Sequence, residues 1–309
     1  MQRTVTGSGG SPYGEQMRPF DRVVLIFNPA STGDASTLAA ELRDELQRRQ
    51  PDLPVTLQPT EHAGHARDLA RDAARTGRPL LVSVSGDGGY NEVVDGTMQA
   101  GNDAVVCAVL PAGNANDHRR ATREQPLADA IVTGSVTRID LLRLTVGGSS
   151  PTTRYAHSYV GLGLTPVVAV DLEKGGKGSL KEALTVMRAF SRFRPFEIQL
   201  ENGSRQRFDS IVFANISQMA KVATLSEDDG RPDDGRFEVI TVKHTAKWRL
   251  LGIALKAALR GLGPQPSVRE YRFTNLEPMP IQVDGEVMDL GAGAAVRIDI
   301  AHQAMQTLL

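Results

Sequence analysis

LLVSVSGDGGYNEVVDG, Leu80 to Gly96, runs from an apolar strand through Gly86, Gly88 and Gly89 into a polar helix start. Leu81, Val82 and Val84 read as a buried strand and the residues from Tyr90 onward as a helix. The glycines would permit φ > 0 and a close approach of backbone to ligand. Free N–H groups at such a helix start suit an anion, phosphate above all. Asp87 sits inside the turn, where a carboxylate can face bound phosphates only with a cation between them, and Mg²⁺ is the hard cation that oxygen donors hold.

The flanking sequence repeats the same beat. RVVLIF (22–27) is a strand, followed by a helix through Leu38, Leu42 and Leu46; PVTLQP (54–59) is a second strand, and HAGHARDLARDAARTG (62–77) a second helix. PLLVSV (79–84) and DAVVCAVL (103–110) are the third and fourth strands, with a weaker helix near Pro126 to Thr133. This succession predicts a doubly wound, Rossmann-like α/β domain with a parallel sheet, whose ligands sit at the carboxyl ends of the strands.

From Val136 the pattern changes to TRIDLLRLTV, TRYAHSYVGLG, and the hairpin FEIQL, Asn202-Gly203, FDSIVFANIS. With RFEVITV, PIQV and VRIDIA these predict a C-terminal antiparallel β-sandwich. Helices are expected at 179–191 and 246–260, and HQAMQTLL (302–309) as a short helix returning to the first domain. The expected organisation is a disordered tail (1–20), a nucleotide-binding α/β domain (21–141), a β-sandwich domain (142–300) and a C-terminal segment (301–309) packing back on the first domain.

Composition narrows the function. The chain has 309 residues, 40% hydrophobic and 23% charged, with a formal net charge of −1, so it can bury a core and does not bind nucleic acid through a global field. Cys107 is the single cysteine, which excludes an intrachain disulfide framework and a cysteine zinc site; within AVVCAVL it reads as core. No apolar run approaches the ~18 residues of a membrane span. Residues 1–20 lack the pattern of a signal peptide, and Met17 is a candidate translational start. The expected location is a bacterial-type cytoplasm. Leu180, Leu184, Met187 and Phe190 on the first expected helix, and Trp248, Leu251 and Leu255 on the second, each lie among basic residues and are the candidate interfacial faces.

The loops after strands one, three and four are Asn28-Pro29-Ala30-Ser31-Thr32-Gly33, Ser85-Gly86-Asp87-Gly88-Gly89 and Pro111-Ala112-Gly113-Asn114-Ala115-Asn116-Asp117. All three should meet at one sheet edge, where their amides, hydroxyls and carboxylates suit a nucleoside triphosphate with a divalent ion.

In motif order the chain resembles the diacylglycerol kinase catalytic-domain family, lipid kinases that include sphingosine kinases and soluble bacterial enzymes. NPAST resembles its Asn-Pro-x-Ser-Gly loop, Thr60 with the Ala-rich helix its Thr motif, SGDGGYNEV its Gly-Gly-Asp-Gly-Thr-x-Asn-Glu-Val, and PAGNAND its Pro-x-Gly-Thr-x-Asn-Asp. Ile139-Asp140, RPDDGRFEVITV (231–242) and PIQVDGE (280–286) extend the match to residues 22–308. The resemblance implies ATP and Mg²⁺ as cofactors and transfer of the γ-phosphate to a hydroxyl of diacylglycerol or a related lipid. It implies Glu286 as general base and nucleotide contacts at Asn28, Pro29, Ala30, Ser31, Thr32, Thr60, Ser85, Gly86, Asp87, Gly88, Gly89, Asn91, Gly113, Asn114 and Asn116. Asp87 and Asp117 would hold the catalytic Mg²⁺; Asp234, with the backbone carbonyls of Arg231 and Arg236, would hold a structural one. The implied partner is a lipid substrate at a membrane surface, with no nucleic acid; a homodimer is compatible with the chain. Three positions depart from the family: Ser85 replaces its first glycine, Gly89 its threonine, and Asn114 a threonine resembling an ATP contact. These departures keep open a non-catalytic lipid- or nucleotide-binding regulator of the same fold, and the Gly-Asp-Gly loop keeps open an NAD kinase-like enzyme.

Overall fold

The computed structural model describes residues 18–31, 34–112, 125–148, 151–163, 195–215, 218–219, 223–224, 234–244 and 265–308. Residues 1–17 of the expected tail, the helices at 179–191 and 246–260, and Thr32, Gly113, Asn114, Asn116, Asp117 and Arg231 lie outside them, whereas the end of that tail is ordered, with Phe20 buried in the first core because its ring packs among the apolar side chains there.

The first half alternates strand and helix: β1 (Arg22–Phe27), α1 (Ala35–Arg49), β2 (Val55–Pro59), α2 (His65–Ala74), β3 (Pro79–Ser85), α3 (Asp87–Ala100), β4 (Val106–Pro111) and α4 (Leu127–Thr133). The strands pair in parallel in the order β2-β1-β3-β4. β1 and β3 are apolar runs buried on both faces, as central strands covered by helices must be. On one face Val23, Leu25, Leu80 and Val82 pack against Ala39, Leu42 and Leu46 of α1 and Ile131 of α4. On the other, Val24, Ile26, Leu81 and Cys107 pack against Ala66, Ala70 and Ala74 of α2 and Val93 and Val94 of α3. The sheet is therefore doubly wound. Its winding reverses beside β1, so the loops after β1 and β3 flank the switch point where α/β sheets bind ligands.

The second half contributes β5 (Val136–Val146), β6 (Thr152–Ala156), β7 (Tyr159–Gly163), β8 (Phe196–Leu200), β9 (Arg205–Ala214), β10 (Gln218–Met219), β11 (Ala223–Thr224), β12 (Phe237–Lys243), β13 (Ser267–Val268), β14 (Glu270–Asn275), β15 (Met279–Val283), β16 (Glu286–Leu290) and β17 (Ala295–Leu308). Apart from the small β10–β11 ladder, these pair antiparallel around one core that includes Leu142, Leu144, Phe208, Phe213, Phe237 and Ile281. The Asn202-Gly203 hairpin joins β8 and β9, with Gly203 at φ 79.

Two expectations fail locally. Residues 302–308 are strand, not helix: β17 pairs antiparallel with β5 and β14 and then runs parallel to β4, with Gln306 opposite Val106. A free sheet edge beside β4 captures the segment, and its backbone pairing outweighs the weak helical pattern. The second failure concerns the glycine turn, where α3 starts at Asp87 instead of Tyr90, Gly86 has φ −88, and Gly88 and Gly89 are helical. Gly89 answers a need for space, not for left-handed backbone, since a Cβ on it would stand 2.7 Å from Ser85. Among the described residues no helix is long and apolar enough to cross a membrane.

Candidate active site

The carboxyl ends of the parallel strands lie level, with Phe27 opposite Pro59 and Val84, and Ser85 opposite Pro111. Backbone bonds carry the alignment into the loops: Thr60 N–H donates to the Phe27 carbonyl at 2.8 Å and Ala112 N–H to the Ser85 carbonyl at 3.1 Å. After β1, Asn28 Oδ1 accepts the Ala30 N–H at 2.9 Å and its carbonyl accepts the Ser31 N–H at 3.2 Å, a turn of the kind short amide side chains favour. Asn28, Pro29, Ala30, Ser31, Thr60, Ser85, Gly86, Asp87, Gly88 and Gly89 thus gather at one edge. Gly86 offers no side chain and no side-chain bond caps α3, so no capping side chain competes with an anion for its first turn, and this helix start is the candidate anion cradle.

Against this cradle lies a turn almost two hundred residues distant. A Cβ on Gly88 would stand 3.8 Å from the Asp284 carbonyl oxygen, and one on Gly285 would stand 4.0 Å from Gly88 Cα. Asp284 and Gly285 connect β15 to β16 with φ 45 and 94, the left-handed pair that a two-residue hairpin turn requires. The Asp284 side chain is buried and accepts N–H bonds from His157 at 2.6 Å, Ser158 at 3.1 Å and Tyr159 at 2.8 Å. Burial pushes its pKa up, while the neighbouring His157 and these N–H groups pull it back. Tyr159 is pushed up by burial first, then by the charges of Asp284 and Asp87, which puts Asp87 within electrostatic reach of the junction. Asn91 faces that junction as well: its buried amide donates to the Tyr155 carbonyl at 2.7 Å and to Asp284 at 3.0 Å.

Glu286 comes next, at the start of β16, with its side chain 35% exposed. Arg67 of α2 reaches its Oε2 at 2.6 Å, and Arg154 of β6 binds the same oxygen. Behind them Asp95, fully buried on α3, accepts from Arg67 Nε at 2.7 Å and from the Tyr155 N–H at 3.2 Å. Arg154 Nε lies 3.0 Å from Asp95 as an ion pair whose angle falls short of a hydrogen bond. Burial raises the Asp95 pKa, against the lowering charges of Arg154 and Arg67. Gly96 makes this arrangement possible, because any Cβ there would run into the Arg67 carbonyl where α2 and α3 touch. Two acids and two guanidiniums balance in charge, and they fix Glu286 beside the cradle.

The remaining carboxylates do other work. Asp140 is buried opposite a register break in β17, where it accepts N–H bonds from Gln303 and Gly235, both at 2.6 Å, with His302 2.8 Å away. It ties the crossover strand to two turns. Asp234 Oδ1 accepts the Arg236 N–H at 2.8 Å, and the Arg236 guanidinium binds Ser267, so both belong to a local turn. Asp234 also borders a cavity of about 450 Å³ with Glu270, Arg297, Asp299 and His302. Among the described residues no group of three or more metal-type side chains converges. Mg²⁺ needs no such group, since it commonly takes one or two carboxylates and completes its shell with phosphates and water. Asp87 beside an uncapped helix start fits that requirement.

The sequence pattern does not reveal Arg67, Arg154 or Asp95 as site residues. Arg67 reads as the solvated face of a charged helix. Asp95 carries the one usable signal, an acid directly after Val93 and Val94 on the face of α3 that enters the core.

Fold and site together define a two-part α/β protein in which a phosphate-type sheet edge meets an antiparallel unit bearing a carboxylate. Residues 22–144 match the model of the diacylglycerol kinase catalytic domain. A diacylglycerol kinase of Bacillus subtilis strain 168 is 26% identical over 294 residues, covering 90% of this chain and 93% of that one. A diacylglycerol kinase structure from Bacillus anthracis superposes with a TM-score of 0.66 at 17% identity, covering 94% and 97% of the two chains. Yeast NADH kinase in complex with NADH shares the fold more distantly, with a TM-score of 0.51 at 11% identity over 94% of this chain and 83% of that one. The family model over residues 22–144, the curated relatives and the solved structures all point to the diacylglycerol kinase catalytic-domain family.

Proposed function

We propose that this protein transfers the γ-phosphate of ATP to a hydroxyl of diacylglycerol or a related lipid, using Mg²⁺. The observation that carries the reading is the contact between the uncapped start of α3 and the Asp284-Gly285-Glu286 turn. One side suits phosphate, and the other presents a carboxylate at the distance of a neighbouring group. Asp87 and Asp117 would hold Mg²⁺, which would supply charge neutralisation for the transferring phosphate. The loops at Asn28–Ser31, Thr60 and Ser85–Gly89 bind and orient the nucleotide. Glu286 accepts the proton of the lipid hydroxyl, and Asp284 holds the turn that aims it. Arg67 and Arg154 both engage Oε2, which leaves Oε1 as the oxygen outside those pairs to meet that hydroxyl. Residues 21–141 form the nucleotide unit, 142–300 the lipid unit, and 301–309 pack back on the first; separate cores in the two halves support this division.

The second reading, a regulator that binds nucleotide or lipid without chemistry, has the double ion pair on Glu286 in its favour, because a purely structural carboxylate would look the same. Purified protein with radiolabelled ATP, Mg²⁺ and mixed micelles of diacylglycerol separates the two. Labelled lipid is expected from the wild type, with a loss of at least about 100-fold in Glu286→Ala and Asp87→Ala. Labelling that survives both substitutions would overturn the roles assigned. ATP binding without labelling of any lipid would establish the regulator.

A further inference from the structure

Two of the family departures compete for one space. Gly89 is helical, yet a Cβ placed on it would stand 2.7 Å from both Cβ and Oγ of Ser85. Carbon atoms do not pack so closely, and Ser85 Cβ is fixed to the end of β3, so it cannot swing aside as the tip of a long side chain would. A side chain at 85 and one at 89 therefore exclude each other. The family pattern, with glycine at the first position and threonine at the second, is the mirror of this chain's serine and glycine.

Ser85 makes use of the place it holds. Its hydroxyl lies 2.7 Å from that of Ser83, itself buried, and donates to the Gly86 carbonyl at 2.9 Å. The same carbonyl accepts the Tyr90 N–H at 3.1 Å, in the first backbone bond of α3. A relay from Ser83 through Ser85 thus anchors the peptide from which the helix starts, at a place where Gly86 has no side chain to do so.

We propose that Ser85 is the positioning residue of this loop: it replaces a side chain at 89 in holding the start of α3 in register for a nucleotide phosphate, and Gly89 is the space that arrangement requires. The phosphate half of this inference rests on the kinase reading above; the exclusion of one side chain by the other does not.

A double-mutant cycle on the full chain tests both halves, with melting temperature and calorimetric binding of ATP with Mg²⁺ as readouts. Ser85→Gly and Ser85→Ala should each weaken ATP binding about 3- to 10-fold through loss of one hydrogen bond. Gly89→Thr alone should lower the melting temperature and weaken ATP by at least about tenfold through overpacking. The double variant Ser85→Gly with Gly89→Thr should return to within about threefold of wild type, a coupling expected only of residues in contact. Additive effects in the cycle would overturn the exclusion, and ATP affinity unchanged in both Ser85 variants would overturn the positioning role. A wild type that binds no ATP would sink the kinase reading and the phosphate half together, and the melting temperatures would still decide the exclusion.

Discussion

At the start of α3 no side chain caps the helix and glycines line the contact, whereas in the β15–β16 turn facing it a buried carboxylate accepts bonds from three backbone N–H groups and the Asn91 amide. The two turns touch, yet no side chain caps the first, while the carboxylate of the second is bonded inward. An anion can still enter the first. The second can only orient its neighbour in the chain, Glu286. Under the proposed kinase reading, this division would let a flexible substrate be received on one side while the carboxylate assigned as base stays fixed on the other.

Asp284→Ala should have the largest effect, because it strands several buried donors at once. We expect a loss on the order of 3–5 kcal/mol in urea denaturation. A loss below about 1 kcal/mol would break the comparison, since the turn would then be no more locked than its neighbour. Gly96→Ala should cost about 1–3 kcal/mol by forcing α2 from α3. It should also displace Arg67 from Asp95 and Glu286, so turnover should fall further than stability alone explains. Arg67→Lys keeps the charge but cannot span both carboxylates, and turnover should drop by up to about 100-fold with ATP affinity retained. Equal loss of ATP affinity would mean that Arg67 serves the cradle instead of the carboxylate.

The smallest effect is expected at Cys107, which is buried in β4 opposite Thr307 of β17. Burial pushes its thiol from 9.0 up to about 12, so a disulfide reagent at pH 8 should not label it in the folded protein. The contribution of the protonated thiol to stability is complete below pH 9 and is lost as pH rises toward 12, a slope that Cys107→Ala should remove. Labelling at pH 8 without unfolding would show that β17 peels from the parallel sheet, and that the two halves are less firmly joined than their pairing indicates.

Much of the parallel half is legible in the sequence because buried strands are continuous apolar runs and consecutive βα units place their loops on one edge. The antiparallel half is legible as strands, VRIDIA included, but the end of its last strand is not, since nothing in HQAMQTLL tells of the open edge beside β4. The glycines of SGDGG stand out for a different reason than the one that places Gly89: it makes room for Ser85, a contact that a reading by motif does not see. The same limit hides Arg67 and Arg154, whose partners come from distant elements. Asp-Gly at 284–285 announces a hairpin, but burial of that hairpin against α3 is a tertiary fact.

If α3 receives the nucleotide while Glu286 acts on the lipid hydroxyl, the two roles can be separated by one substitution. Steady-state kinetics of Glu286→Gln with diacylglycerol micelles, paired with calorimetric binding of ATP and Mg²⁺, address this directly. Turnover should fall by at least about 100-fold with ATP affinity within about twofold of wild type. Turnover close to wild type, or a loss explained entirely by weaker ATP binding, would contradict it.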